Sequence, residues 1–361
     1  MDSKVGVIGA GAWGTAVAKV IAENKRASGQ CEDVVLWTRK KDAADEITGR
    51  HVNTRYLPDV TLPANLRAET DICAVANGKD FLILATPSLF LLDAVKQILS
   101  QPSIREGETL VAVITKGFLP GKAAPRLIVE TLEDYLPGFY RQSLVYIAGP
   151  SHAEEVSCGK ITGLIAASEN AKNAFRFRDI LKNNRVLVFP SLDIRGVQVA
   201  AAAKNVIAIA FGILDALKTQ ADTALGAAFG DGTSSLLLAA GLNEIQMLGR
   251  AMGATHPETF TSIAGVGDLD VTCRSIFGRN RRFGRDIIGK KILQRFQNID
   301  DLISRIGEIG YLPEGVAAAK YVRILAEKHD LKMPISTGLY RILNREIGYE
   351  EFLNNFVGGL Y

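Results

Sequence analysis

Short, unbroken apolar runs recur through the first half of the chain, at Val5–Ile8, Val34–Trp37, Phe81–Leu84, Leu110–Ile114, Leu144–Ala148, Thr162–Ala166 and Val186–Phe189. Most are separated by segments of helical pattern. Continuous rather than alternating hydrophobicity marks strands buried on both faces. Their alternation with helices predicts a mostly parallel sheet, covered on both sides and wound with right-handed crossovers. Beyond about Pro190 the strand signal fades. Long stretches rich in Ala, Leu and Ile follow at Gly196–Leu217, Ser234–Gly249, Ile299–Ile306, Ala317–His329 and Gly338–Asn344, predicting a second, wholly helical domain.

The first apolar run empties directly into Gly9-Ala-Gly-Ala-Trp-Gly14, and a helix-forming stretch from Thr15 follows at once. Strand, glycine turn and helix in that order form the fingerprint of a dinucleotide site. Gly9 permits the tight turn, Gly11 lets a pyrophosphate approach the backbone, and Gly14 lets the helix lie close on the strand. The helix N-terminus then offers its unpaired N–H groups to the phosphates. The expected architecture is therefore α/β, with a Rossmann-like NAD(P)-binding domain over residues 1–192 and an all-helical substrate-binding and catalytic domain over 193–361. The second strand ends Trp37-Thr38-Arg39-Lys40-Lys41, with no carboxylate before Asp42. In this fold an acid there binds a ribose 2′-hydroxyl and a cation accommodates a 2′-phosphate, so NADP(H) is preferred and NAD(H) possible.

Composition narrows the partners. At 361 residues the chain exceeds what one core usually organises, and 47% hydrophobic residues provide for two. Lys plus Arg total 42 against 39 acids, a net charge of +3 that gives no reason to expect nucleic acid or an anionic membrane. Cys31, Cys73, Cys158 and Cys273 form no CxxC pair. His51, His152, His256 and His329 are equally scattered, so neither a disulfide framework nor a metal is expected. The first strand begins within a few residues of Met1, and no run of about eighteen apolar residues lacks a charge, so a cytoplasmic protein without membrane insertion is expected.

A nicotinamide enzyme needs a group that moves a proton to or from the substrate oxygen as the hydride moves. Lys204 is the candidate, standing in Val199–Ala210 among otherwise apolar residues, where burial disfavours an ammonium, with Asn205 as a second polar group beside it. The loop Ser262–Cys273 places Gly265 and Gly267 just before Asp268. A helix starting there would put Asp268 and Thr272 on one face, where the acid can balance Lys204 and the hydroxyl can meet a substrate oxygen. The stretch Arg274–Arg285 holds five arginines in twelve residues. Within it Arg279 and Asn280, flanked by Gly278 and Gly284, suit a phosphate.

Taken together these segments resemble the soluble NAD(P)-dependent glycerol-3-phosphate dehydrogenases, in particular their bacterial branch. The resemblance runs nearly end to end, through Gly9–Gly14, Arg55–Pro58, Thr115–Gly117, Ala148–Val156, Ala203–Ala208, Gly267–Leu269 with Thr272-Cys273, Arg279–Gly284 and Pro313–Gly315. It implies reversible reduction of dihydroxyacetone phosphate to sn-glycerol 3-phosphate, supplying glycerophospholipid synthesis, by a homodimer. It further implies that Lys204 is the proton acceptor and donor, that Lys116 contacts substrate and cofactor, and that Asp268 is the acidic partner. Asn205 and Thr272 would hold substrate oxygens, and Arg279 with Asn280, beside Gly278, the phosphate. Ala12, Trp13, Arg39, Tyr56, Ala153, Leu312 and Glu314 would touch the dinucleotide, and Gly149 and Ser151 the substrate or cofactor. Ala240 and Gly278 depart from the arginine and serine usual in that family, and Ser275–Phe277 is an insertion. A β-hydroxyacid or ketopantoate-type reductase shares the two-domain plan and is the alternative; the Gly265–Thr272 loop and the Arg279-Asn280 pair argue against it.

Overall fold

The structure, a computed structural model, describes residues 2–219 and 224–358. The chain divides into two compact units, one of Met1–Leu119 with Leu127–Ile194, the other of Pro120–Arg126 with Arg195–Tyr361. The excursion of Pro120–Arg126 carries no hydrophobic period by which the sequence could announce it.

In the first unit the strands are β1 (Val5–Ile8), β2 (Val34–Trp37), β3 (Leu66–Glu69), β4 (Phe81–Leu84), β5 (Leu110–Val113), β6 (Phe118–Leu119), β7 (Arg126–Leu127), β8 (Val145–Ala148), β9 (Thr162–Ala167) and β10 (Val186–Ser191). Eight form one sheet in the order β10-β9-β8-β5-β4-β1-β2-β3, and β6 pairs with β7. All neighbours in the large sheet are parallel except β8 and β9. Every residue of β1, β2, β4 and β8 is buried, which is why those runs are apolar without alternation. Strand β3 escaped the sequence reading because it lies at the edge: Leu66 and Ala68 face the core while Arg67 points outward and pairs with Asp33 at 3.2 Å and Glu69 at 3.0 Å. The helix Ala12–Ala27 lays Val17, Val20 and Ile21 on the sheet, each such burial contributing about 1.5–3 kcal/mol.

The second unit is built on the helix Ile194–Lys218. By length and composition it could cross a membrane, yet its most apolar stretch is wholly buried inside the protein, so it is the core helix of this unit. Other helices press onto it where side chains are missing. A Cβ on Gly284, in the helix Arg279–Gly289, would lie 2.1 Å from the Ile209 carbonyl oxygen. One on Gly241, in the helix Asp231–Ala251, would meet Ile207 at 2.7 Å. Close backbone approach of this kind fixes which residues of neighbouring helices stand opposite each other.

Candidate active site

In the first unit, β1 lies between β4 and β2, the point where the strand order reverses and ligands bind beyond the carboxyl ends of the strands. Gly9 leaves β1 at φ +125°, and a Cβ there would stand 2.9 Å from the Ala85 carbonyl carbon and the Thr86 nitrogen beyond β4. Gly14 closes the turn, its missing Cβ directed at the Gly9 carbonyl 2.0 Å away. At Gly11 a Cβ would point into open space. Ala12 and Trp13 open the helix, whose cap, Gly11, uses no side chain on the first N–H groups. Two polar atoms flanking the turn, Trp13 Nε1 and Thr86 Oγ1, are buried without a hydrogen-bond partner among the described residues. An open approach, uncapped N–H groups and unspent polar atoms fit a dinucleotide pyrophosphate.

Several further residues expected at the cofactor lie beyond the strands of this sheet. Arg39 is exposed just after β2, its guanidinium 5.5 Å from the ring centre of Phe90, a half-exposed aromatic that the sequence reading missed. Lys41 is committed to Asp45 at 2.8 Å. Tyr56 is exposed under Arg55, on a loop anchored by another residue missed in sequence. That residue is the buried Asn53, whose Nδ2 donates to the Ala10 carbonyl at 3.1 Å and to Thr15 Oγ1 at 2.9 Å. Lys116 is half-buried beyond β5 and precedes Gly117, which has φ +122°. Beyond β8, Gly149 has φ +151°, the Ser151 hydroxyl donates to its carbonyl at 3.1 Å, and Ala153 begins a short helix.

The second unit gathers the chemistry around Lys204. The helix Asp268–Arg274 starts at the acid, as the spacing predicts, and follows a π-helical turn at Ile263–Gly267. Asp268 and Thr272 thereby share a face. Lys204 Nζ donates to Asp268 Oδ1 and, at 2.8 Å, to Thr272 Oγ1; the lysine and aspartate side chains are only 4% and 1% exposed. Thr272 gives its one proton to the Asp268 carbonyl at 2.6 Å. In this structure the hydroxyl therefore serves the lysine and offers only lone pairs to anything else. Nearby, burial pushes the Cys273 thiol up to about 12, leaving it an inert neighbour.

Asn205, next to Lys204 in the chain, is 4% exposed. Its Oδ1 accepts from Asn280 Nδ2 at 3.0 Å, while its own Nδ2 is buried with no partner among the described residues. Gly278 caps the helix Arg279–Gly289 with no side-chain bond to its first turn, Arg279 stands exposed at its first position and Asn280 is buried at its second. Of the five arginines in this stretch, Arg274 pairs with Asp270, Arg281 and Arg285 with Asp215, and Arg282 reaches Asp286 and stacks on Tyr311. Arg279 has no such commitment among the described residues. An uncommitted guanidinium at a helix N-terminus is suited to a dianion. Leu312 and Glu314, both half-buried, lie in the segment entering the helix Gly315–Lys328.

A glycine-turn sheet with its nucleotide end open, joined in one chain to a helical unit with a buried lysine and a phosphate-suited helix start, defines a dinucleotide-dependent oxidoreductase. Family models described as the NAD-dependent glycerol-3-phosphate dehydrogenase N-terminus and C-terminus match residues 4–174 and 193–354. The chain belongs to that family. A relative from Treponema denticola named glycerol-3-phosphate dehydrogenase [NAD(P)+] is 55% identical, with 99% of each chain covered. Another of the same name, from Treponema pallidum strain Nichols, is 50% identical over 99% of each. The crystal structure of glycerol-3-phosphate dehydrogenase from Coxiella burnetii superposes with a TM-score of 0.82 at 30% identity, covering 99% of both chains.

Proposed function

We propose that the protein interconverts dihydroxyacetone phosphate and sn-glycerol 3-phosphate, with Lys204 as the group that gives and takes the proton. The observation that carries this reading is the buried Lys204–Asp268–Thr272 cluster beside an unspent Asn205 amide, on the helix against which the start of Arg279–Gly289 is packed. A nicotinamide cofactor, when bound, would supply the hydride for the carbonyl carbon and accept it in the reverse direction. As the C–H bond forms and the carbonyl π bond breaks, Lys204 Nζ delivers a proton to the oxygen that is gaining charge. Asp268 keeps the lysine in place and balances its charge through the step. Asn205 Nδ2 donates to a substrate oxygen, and Arg279 with the N–H groups of its helix start holds the phosphate.

The same reading assigns the first unit to the dinucleotide. Arg39, with Lys40 beside it and no acid before Asp42, meets a 2′-phosphate, and Phe90 offers its half-exposed ring to the adenine edge of the site. NADP(H) is thus the preferred carrier, and the product supplies glycerophospholipid synthesis. The test is oxidation of NADPH and of NADH by the purified protein with dihydroxyacetone phosphate, dihydroxyacetone and 2-ketopantoate as separate substrates. Rapid oxidation with the phosphate ester alone, faster with NADPH, is the expected result. Turnover of ketopantoate, or of dihydroxyacetone at a similar rate, would refute the phosphate reading.

A further inference from the structure

The resemblance gives Asn280 a phosphate-binding role, but the two bonds that fix its side chain are made to the protein itself. Its Oδ1 accepts from the backbone N–H of Gly315 at 2.9 Å, and its Nδ2 donates to Asn205 Oδ1 at 3.0 Å. Both contacts are buried. A backbone N–H can only donate, so the Gly315 contact fixes which end of the Asn280 amide is oxygen. That leaves the nitrogen facing Asn205, which in turn fixes the Asn205 carbonyl toward Asn280. The consequence is that Asn205 presents N–H groups, and not a carbonyl, on its other side, where Nδ2 has no partner among the described residues. The absence of a side chain at Gly315 lets its N–H come this close, because a Cβ there would lie 2.5 Å from the Asn205 backbone carbonyl oxygen and 2.9 Å from Asn280 Oδ1.

We infer that Asn280 is a positioning residue: its side chain sets the orientation of Asn205 so that a donor meets the substrate oxygen, while the phosphate is left to Arg279 and the backbone at the helix start. The inference rests on the proposed reduction of dihydroxyacetone phosphate. Were the Asn280 amide absent, Asn205 would be free to turn over and set a carbonyl against the substrate oxygen. Replacing one preorganised donor by a repelling acceptor costs about 10²–10³ in kcat.

A double-mutant cycle in kcat and KM for dihydroxyacetone phosphate tests this, using Asn205→Ala, Asn280→Ala, the double variant and Arg279→Ala. Asn280→Ala is expected to lower kcat about as far as Asn205→Ala does, and the double variant to fall within about threefold of Asn205→Ala alone. KM should rise less than about threefold in Asn280→Ala but at least about tenfold in Arg279→Ala. Losses that multiply in the double variant, or a KM effect matching that of Arg279→Ala, would show that Asn280 binds phosphate in its own right and overturn the inference. Should Asn280→Ala fold poorly, Asn280→Asp retains an acceptor for Gly315. Its charge acts in either background, so only the positioning part of its effect vanishes in Asn205→Ala, and an undiminished effect there would refute the inference. A wild-type enzyme inactive on dihydroxyacetone phosphate would remove the underlying activity instead, so the two failures are distinct.

Discussion

At the scale of single residues, what a side chain does is decided by which of its protons and lone pairs are already used. Thr272 gives its proton to the Asp268 carbonyl and a lone pair to Lys204, Asn280 engages Gly315 through its oxygen and Asn205 through one amide proton, and Asn205 retains its amide protons. The buried Glu244 shows the same logic applied to structure. Its carboxylate accepts from the Ile335 N–H at 2.6 Å, the Ser336 N–H at 2.9 Å and the Ser336 hydroxyl at 2.6 Å, closing the start of the helix Pro334–Leu343. Burial nevertheless pushes its pKa from 4.5 up to about 7, against the pull of those three donors. A raised carboxyl pKa means that the folded protein holds this proton more tightly than the unfolded chain. Its contribution to stability is therefore present below about pH 4.5 and lost as pH rises to 7, a change on the order of 3 kcal/mol. Urea unfolding of the wild type and Glu244→Gln across that range should show the wild type losing its relative advantage as pH rises. A difference between the two that does not vary with pH would contradict the assignment.

At the scale of elements, close helix packing carries the site. Gly284 seats Arg279–Gly289 on the Ile209 carbonyl, which sets Asn280 opposite Asn205. Gly284→Ala must push the helices apart and is expected to destabilise the protein by about 2–4 kcal/mol and to raise KM for the phosphorylated substrate. Unchanged Tm and KM would show that the contact is not limiting. The long apolar helices and the buried strands were legible because their hydrophobic periods are long or unbroken, and Lys204 stood out against the apolar helix that carries it; the arginine-rich helix Arg279–Gly289 was not read as a helix. Strand β3 was hidden by its edge position, with Arg67 and Glu69 facing outward. Asn53 and Glu244 were hidden for another reason: their partners lie 43 and 91 residues away, a separation over which no local pattern extends. Motif resemblance named Asn280 but not the direction of its amide, which only the contact with Gly315 reveals.

At the scale of the whole chain, labour is divided. The first unit supplies a sheet whose reversal of strand order and glycine turn suit a pyrophosphate; the second buries the Lys204–Asp268 pair within a helical core. The central claim is that Lys204 acts on the substrate and not on the fold or the cofactor. The measurement that tests it most directly is the turnover of dihydroxyacetone phosphate by Lys204→Ala, with NADPH affinity determined by fluorescence titration on the same samples. A fall in kcat of about 10²–10⁴ with NADPH affinity within about twofold of wild type is the predicted result. Retained turnover, or equal loss of turnover and NADPH binding, would contradict it.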